Sequence, residues 1–156
     1  MIPQEIIDYT DGKYFGYVGS RDENLIPMVR RCWGVKLSPT SDVMIIFVLK
    51  AQYEQMLKNF QHNGRITVSL ADVPDFRAYQ LKGQFIKARD VTPDEVNSQR
   101  QYREKPKTIM QEYFGISETL AERYVHYTDL AIEFKVEKIF NQTPGPGAGK
   151  KVEFTQ

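Results

Sequence analysis

Short strand patterns separated by turn signals follow one another along most of this chain, and this succession limits what the chain can fold into. Residues 65–71 alternate polar and apolar side chains, and residues 76–89 and 129–141 are also predicted strands. Residues 43–49 are apolar without alternation, as expected for a strand that is covered on both faces. Because direct hairpins join most neighbouring strands, we predict a largely antiparallel sheet that closes, or nearly closes, into a small β-barrel with accessory helices.

A predicted hairpin near the N-terminus carries the residues that we expect to hold a ligand. Its first arm covers residues 14–19, a polar turn follows, and its second arm runs over residues 25–37. Pro27 cannot donate a ladder hydrogen bond, which places it at a sheet edge or at the start of a strand. Strand alternation sends Arg30 and Arg31 to opposite faces, so at most one of them faces a given ligand.

A helical pattern follows the apolar strand at residues 43–49. Tyr53, Met56 and Phe60 are spaced at three and four residues, which is typical of an amphipathic helix. Gly64 supplies a C-terminal stop, so we predict a helix of about three turns.

Further helical segments are expected near the N-terminus and before the last strand. Residues 3–9 favour one or two helical turns, and Thr92 to Glu95 form a capping sequence that begins a longer helix. Pro106 is expected to end or kink that helix. Ser117 is expected to begin another short helix.

The size and charge of the chain restrict its partners. With 156 residues it is most simply one domain, which we expect to span residues 1–142 and to be followed by a Pro/Gly-rich tail, residues 143–156. A net charge of +1 provides no basic excess for binding nucleic acid or a membrane surface. No apolar run is long enough to span a bilayer. We therefore expect a cytoplasmic protein without nucleic-acid or membrane partners.

The histidines and the cysteine do not form a recognisable reactive site. His62 and His126 have no cysteine or second histidine at ligand spacing, so no metal site is predicted. Cys32 is the single cysteine, which excludes an internal disulfide. A buried thiol that packs as a small apolar residue is the favoured interpretation.

The order of these segments resembles the FMN-binding split barrels of the pyridoxamine 5'-phosphate oxidase-like superfamily. The likeness is carried by Pro27 with an arginine three residues later, by the helix that ends in Asn63-Gly64, by residues 65–69, and by residues 79–83, which end in glycine. The resemblance implies a mainly β, α+β fold with a six-stranded antiparallel split barrel. It also implies a homodimer with an FMN cleft at the subunit interface, formed by the second strand, the end of the third strand and the following helix.

The resemblance also implies which residues hold the cofactor. Arg30 stands where the family's flavin- or phosphate-contacting arginine follows its proline. Val29, Arg31 and Cys32 would make backbone or edge contacts with the ring system. Lys50 and Gln52 lie where the third strand meets the helix. The implied cofactor-binding set is Val29, Arg30, Arg31, Cys32, Lys50 and Gln52.

The sequence departs from the family on the predicted helix. Where many members place a phosphate-binding serine and a lysine, this chain has Glu54 and Met56. A carboxylate repels a phosphate, and a thioether carries no charge. The FMN phosphate would therefore use Lys50, Arg30 or Arg31 instead.

Three hypotheses about function follow from the residues and the resemblance. The first is a small homodimeric flavoprotein whose FMN transfers hydride or electrons between a reduced nicotinamide and an unknown acceptor, with no side chain required as acid or base. The second is a non-catalytic split-barrel module that holds haem, another ligand or nothing. The third is a stress or interaction protein in which the dimer surface matters most.

Overall fold

The computed structural model describes residues 1–12 and 14–154, and the side chains of all of these except residues 100–102. Eight strands and four helices are present in these ranges. The strands are β1 (Tyr14–Arg21), β2 (Pro27–Cys32), β3 (Gly34–Leu37), β4 (Val43–Val48), β5 (Arg65–Asp72), β6 (Ala78–Asp90), β7 (Leu130–Asn141) and β8 (Lys151–Val152). The helices are α1 (Gln4–Thr10), α2 (Lys50–Asn63), α3 (Pro93–Phe114) and α4 (Glu118–Tyr124). None of the described helices is long and apolar enough to cross a membrane.

The strands form one curled sheet in which the described neighbours are antiparallel. Their order is β2-β1-β5-β6-β7-β4-β3, with β8 added beside β7. The two strands at the ends of this order, β2 and β3, are consecutive in the chain. The sheet therefore curls so far that one stretch of chain joins its two edges. This confirms the predicted antiparallel split barrel with accessory helices.

The predicted second arm of the hairpin, residues 25–37, is divided at Trp33, and this is a correction. β2 pairs with β1, whereas β3 pairs with β4. At the junction the amide of Trp33 donates to the carbonyl of Phe47 at 2.9 Å. One straight strand cannot pair along both edges of a curled sheet, so the chain bends where it leaves one edge and joins the other. Counting β2 and β3 as one bent strand, and leaving out the two-residue β8, restores the six strands that were predicted.

The core lies between the curled sheet and α2. β4 is largely buried on both faces, as its continuous apolar sequence predicted. Tyr53, Met56 and Phe60 of α2 are buried against the sheet. Gly64 ends this helix in the left-handed conformation with φ of +68°, which confirms the predicted stop.

The long pair β6–β7 requires one glycine. The register between the two strands shifts at Gly83. A Cβ atom at this position would lie 1.8 Å from the backbone carbonyl oxygen of Lys135, far inside contact distance. Glycine is therefore needed at position 83 because two backbones approach closely there.

α3 begins as predicted but continues further. Thr92 and Glu95 form a reciprocal capping box at its start. The helix passes through Pro106 and ends at Phe114, so of the two predicted effects of Pro106, an end or a kink, the first is wrong. Proline removes one helical hydrogen bond, and burial of Ile109 and Met110 beyond it holds the last turns in place.

The segment after β7 turns back onto the barrel. Residues 143–149 contain turns rather than regular structure. β8 then pairs with β7 at Ile139 and Phe140, and Phe154 packs against the core. The predicted division between residues 142 and 143 stays a prediction, and residues 155–156 of the predicted tail lie outside the described residues.

Candidate functional site

The two neighbouring arginines of β2 leave the strand on opposite faces. Arg30 lies opposite Val18, which is buried, and Arg31 lies opposite Tyr17, which is 45% exposed. Side chains directly opposite each other in an antiparallel pair share a face. Arg30 therefore lies on the inner face at the edge of the core, and Arg31 lies on the outer face.

Arg30 is close to α2. Burial raises the pKa of the Tyr53 hydroxyl, and the neighbouring positive charge of Arg30 opposes that rise. The same hydroxyl donates to the carbonyl of Arg31 at 2.9 Å, which fastens α2 to β2. Arg30 itself is exposed and donates only to the adjacent carbonyl of Val29, at 3.0 Å. Among the described residues it has no ion pair, so its charge is available to a ligand.

Lys50 and Gln52 lie in the first turn of α2, and both are exposed. The backbone amide of Lys50 donates to Asp129 Oδ1 at 2.8 Å, so a carboxylate caps this end of the helix. The structure brings Lys50 and Gln52 to the same end of α2. It shows no hydrogen bond from either side chain in the described part of the chain.

The remaining predicted positions divide between surface and core. Val29 is 57% exposed, and its carbonyl lies on the free edge of β2, where it accepts from Arg30. Cys32 is buried, and burial raises the pKa of its thiol to about 12. The thiol is therefore neutral and packed inside the barrel, which fits the apolar interpretation of Cys32. Its side chain does not reach the surface on which a ligand would lie.

The two helix positions at which this chain differs from the family, Glu54 and Met56, also differ in burial. Glu54 is exposed on α2, whereas Met56 is fully buried in the core. Met56 therefore packs the helix against the sheet and cannot meet a ligand.

Arg31 occupies an aromatic cage on the outer face. Its guanidinium carbon lies 4.5 Å from the ring centre of Phe15, 4.5 Å from that of Trp33 and 4.8 Å from that of Tyr124. Arg31 Nη1 also donates to the hydroxyl of Tyr124. Cation–π contacts of this kind hold the charge in place without a carboxylate.

An open cleft of about 570 Å³ lies in front of this cage, and we call it the aromatic cleft. It is enclosed by β1, β2, the end of α3, the following loop and α4. Its lining consists of Phe15, Tyr17, Arg31, Met110, Phe114, Ile116, Leu120, Arg123 and Tyr124.

Of the aromatic cleft, the sequence predicted only Arg31. The other lining residues come from segments that are far apart in the chain, and no spacing rule links them. The sequence offered one signal, because Phe114 and Leu120 are large apolar residues in mostly polar segments, and the structure shows that both are exposed.

No cluster of three histidine, cysteine, aspartate or glutamate side chains in the described residues could hold a metal ion. Arg30 and Arg31 place one positive charge on each face of β2. The inner face offers Arg30 beside α2, and the outer face offers the aromatic cleft.

The sequence matches no protein-family model and none of the curated proteins. Solved structures do match the fold. HupZ from group A Streptococcus aligns with a TM-score of 0.58 at 20% identity, over 96% of this chain and 100% of that chain. A putative pyridoxamine 5'-phosphate oxidase from Lactobacillus delbrueckii aligns with a TM-score of 0.55 at 11% identity, over 89% and 93% of the two chains.

A third structure supports the same grouping. It is a Clostridium acetobutylicum protein related to general stress protein 26, described as belonging to the pyridoxinephosphate oxidase family. It aligns with a TM-score of 0.51 at 13% identity, over 97% of this chain and 89% of that chain. The shared fold, the strand order and the near-complete coverage agree with the resemblance carried by the sequence. The chain has the split-barrel fold of the pyridoxamine 5'-phosphate oxidase-like proteins.

Proposed function

We propose that this protein is a small flavoprotein that binds FMN at the inner face of β2, beside α2, and uses it for hydride or electron transfer. The observation that carries the proposal is Arg30, an exposed arginine that has no ion pair among the described residues and lies next to Tyr53. A guanidinium matches a phosphate group in both charge and geometry. The fold neighbours include a putative pyridoxamine 5'-phosphate oxidase, which agrees with this cofactor class.

The residues near α2 fit a phosphate through side chains rather than through helix amides. Asp129 already accepts from the amide of Lys50, so the N-terminus of α2 is capped by a negative charge. A phosphate would therefore be held by Arg30, with Lys50 as a second cation and Gln52 as a neutral donor. Val29 would contribute backbone groups from the free edge of β2, and Arg31 its amide, because the Arg31 carbonyl already accepts from Tyr53.

In this proposal the cofactor supplies the chemistry and the protein supplies the binding. Bound FMN would supply the hydride or electron chemistry through its ring. The chain would orient the ring along β2 and hold the phosphate. No side chain is required to transfer a proton, and the neutral, buried thiol of Cys32 takes no part.

A flavin titration tests the proposal. We expect the wild-type protein to bind FMN more tightly than riboflavin, measured by quenching of flavin fluorescence. Arg30→Ala should weaken FMN binding by roughly 10- to 150-fold, the effect of about 1.5–3 kcal/mol for a charge-assisted hydrogen bond. Riboflavin binding should hardly change, because riboflavin lacks the phosphate. Arg21→Ala, at an exposed arginine near the end of β1, is the matched control for loss of one charge.

One observation favours the second hypothesis, a non-catalytic module with this fold. Asp129 caps α2, and Glu54 is exposed on the same helix, so two carboxylates accompany the proposed phosphate site. Like charge repels a phosphate. A visible spectrum of freshly purified protein without flavin bands, together with no flavin binding in the titration, would select this second candidate.

We also propose that the protein is a homodimer, as the resemblance implies. Trp33 adds little apolar surface for a second copy to cover. In the structure its ring packs against Tyr124 at 5.7 Å and His126 at 5.2 Å, so α4 and the following loop cover it. The exposed apolar residues of the outer β1–β2 face are instead Tyr17 and Val29.

A further inference from the structure

The aromatic cleft carries two positive charges that no carboxylate of the described residues neutralises. Arg31 and Arg123 both line it, and its lining contains no aspartate or glutamate. Arg123 is exposed in the last turn of α4 and forms no ion pair within the described residues. Two uncompensated guanidinium groups beside apolar walls favour binding of an anion.

Three acidic residues of α3 and α4 surround Lys107. Lys107 Nζ lies 3.7 Å from a carboxylate oxygen of Glu104, 3.5 Å from one of Glu118 and 3.3 Å from one of Glu122. The Lys107 side chain is only 13% exposed. These carboxylates therefore gather around Lys107, and none of them lines the cleft with Arg123.

Arg31 and Tyr124 are arranged to present a donor to the ligand. Three aromatic rings surround the guanidinium of Arg31, and the oxygen of Tyr124 accepts one of its hydrogens. The phenol keeps its own hydrogen, which can be donated to a ligand oxygen. The cage therefore holds the charge and the donor in one place before any ligand arrives.

The rest of the lining selects the chemical class of the ligand. A volume of about 570 Å³ lies within the usual range for small-molecule sites. Apart from two guanidinium and two phenol groups, the lining side chains are apolar, with no serine, threonine or lysine among the described residues that form it. Because three aromatic rings surround the Arg31 guanidinium, an anion finds chiefly the guanidinium of Arg123 and the phenol hydrogen of Tyr124, which are few donors for the three oxygens of a phosphate ester. A single carboxylate on a ring system fits better.

We propose that the aromatic cleft binds a small aromatic carboxylate. The ring lies among Phe114, Leu120 and the other apolar side chains, and the carboxylate meets Arg123 and the Arg31–Tyr124 pair. This site is on the outer face of β2, opposite the face that bears Arg30. The inference therefore does not depend on the flavin proposal.

Three naphthalene probes of matched shape test the inference by calorimetric titration. They are 2-naphthoate, its neutral analogue 2-naphthamide, and 2-naphthyl phosphate. We expect naphthoate to bind roughly tenfold tighter than the amide, as expected for a charge-assisted hydrogen bond at a partly exposed site. We also expect it to bind tighter than the phosphate ester. Equal affinity for acid and amide, or a preference for the phosphate ester, would overturn the proposal.

Variants separate the charge from the apolar wall. Arg123→Gln should weaken naphthoate binding about tenfold and leave naphthamide binding unchanged. Leu120→Asp, at the exposed rim, should weaken both probes. Arg21→Gln removes the same charge outside the cleft and should change neither. If Arg123→Gln and Arg21→Gln lowered naphthoate affinity equally, only the net charge of the protein would matter, and the site would be rejected.

The same experiments test whether the aromatic cleft holds a second copy of the chain or FMN instead. A second copy seated in the cleft would block naphthoate and would dissociate in Leu120→Asp, as seen by sedimentation velocity, and this result would overturn the inference. Displacement of bound naphthoate by FMN would show that flavin fills the cleft, which also overturns it. Flavin affinity measured on Arg123→Gln keeps the two proposals separate, because it should equal that of wild type.

Discussion

At the scale of residues, two adjacent arginines of β2 have different surroundings because a strand alternates its side chains. Arg30 lies at the surface beside α2 and has no ion pair in the described part of the chain. Arg31 is held among Phe15, Trp33 and Tyr124. The first is therefore available for binding, whereas the second also contributes to stability by joining β2 to α4.

Substituting each arginine in turn should reveal this difference in the free energy of unfolding. Arg31→Ala removes three cation–π contacts and one hydrogen bond, so we expect a loss of about 2 kcal/mol. Arg30→Ala should change stability by no more than about 0.5 kcal/mol. Urea denaturation of both variants measures the two values. Losses of the same size would mean that the aromatic cage does not stabilise the fold.

At the scale of elements, the start of α3 is fastened to the sheet by one arginine. Arg89 on β6 donates to Glu95 at 2.8 Å through both Nη atoms and to Glu133 of β7 at 2.6 Å through Nε. The side chain of Glu95 is 12% exposed and also accepts from the amide of Thr92. These bonds, chiefly the two from Arg89, lower the pKa of Glu95 from 4.5 to about 2.

This shift predicts a specific pH dependence. Because the pKa is lower in the folded state, the stabilisation is present above about pH 4.5 and is lost as the pH falls toward 2. Glu95→Gln should therefore cost roughly 2 kcal/mol at neutral pH, and its difference from wild type should shrink below pH 4.5. Urea denaturation at several pH values measures this. Glu54→Gln, at an exposed position of α2, is the control, and a pH-independent cost for Glu95→Gln would contradict the prediction.

The long pair β6–β7 gives a second prediction at this scale. In Gly83→Ala the new Cβ would meet a backbone oxygen of Lys135 at 1.8 Å, and backbone atoms cannot rotate away. We expect a loss of about 3 kcal/mol or more in the free energy of unfolding. Gly19→Ala places its Cβ 3.8 Å from Thr67, an ordinary contact, and should cost far less. Thermal melting of Gly83→Ala and Gly19→Ala tests this prediction. Similar melting temperatures for the two variants would mean that the two backbones can separate.

At the scale of the whole molecule, we expect a second copy to pack at the Val29 end of the outer β1–β2 face, outside the aromatic cleft. Light scattering at micromolar concentration should report a dimer. Its interface should bury more than about 1,000 Å², as stable interfaces do. Val29→Asp introduces a charge at an exposed apolar position of this face and should favour the monomer. Val96→Asp, the same change at an exposed valine of α3, is the control. A wild-type protein that is monomeric under these conditions would contradict the homodimer.

Much of this molecule could be predicted from local patterns. Alternation and turn residues identified the antiparallel strands, the capping box identified the start of α3, and Gly64 identified the end of α2. The opposite directions of Arg30 and Arg31 follow from the same alternation. Such features depend on residues within a few positions of each other, so the sequence alone contains what determines them.

Tertiary structure alone decided the bend at Trp33, the cap on α2 and the aromatic cleft. The bend depends on β2 and β3 pairing with different strands. The cap joins Lys50 to Asp129, which are 79 residues apart, and the cage joins Arg31 to Tyr124, 93 residues apart. No periodicity relates such pairs. Their contacts exist only because burial of the apolar core brings distant segments together, and the geometry of that packing places each polar group.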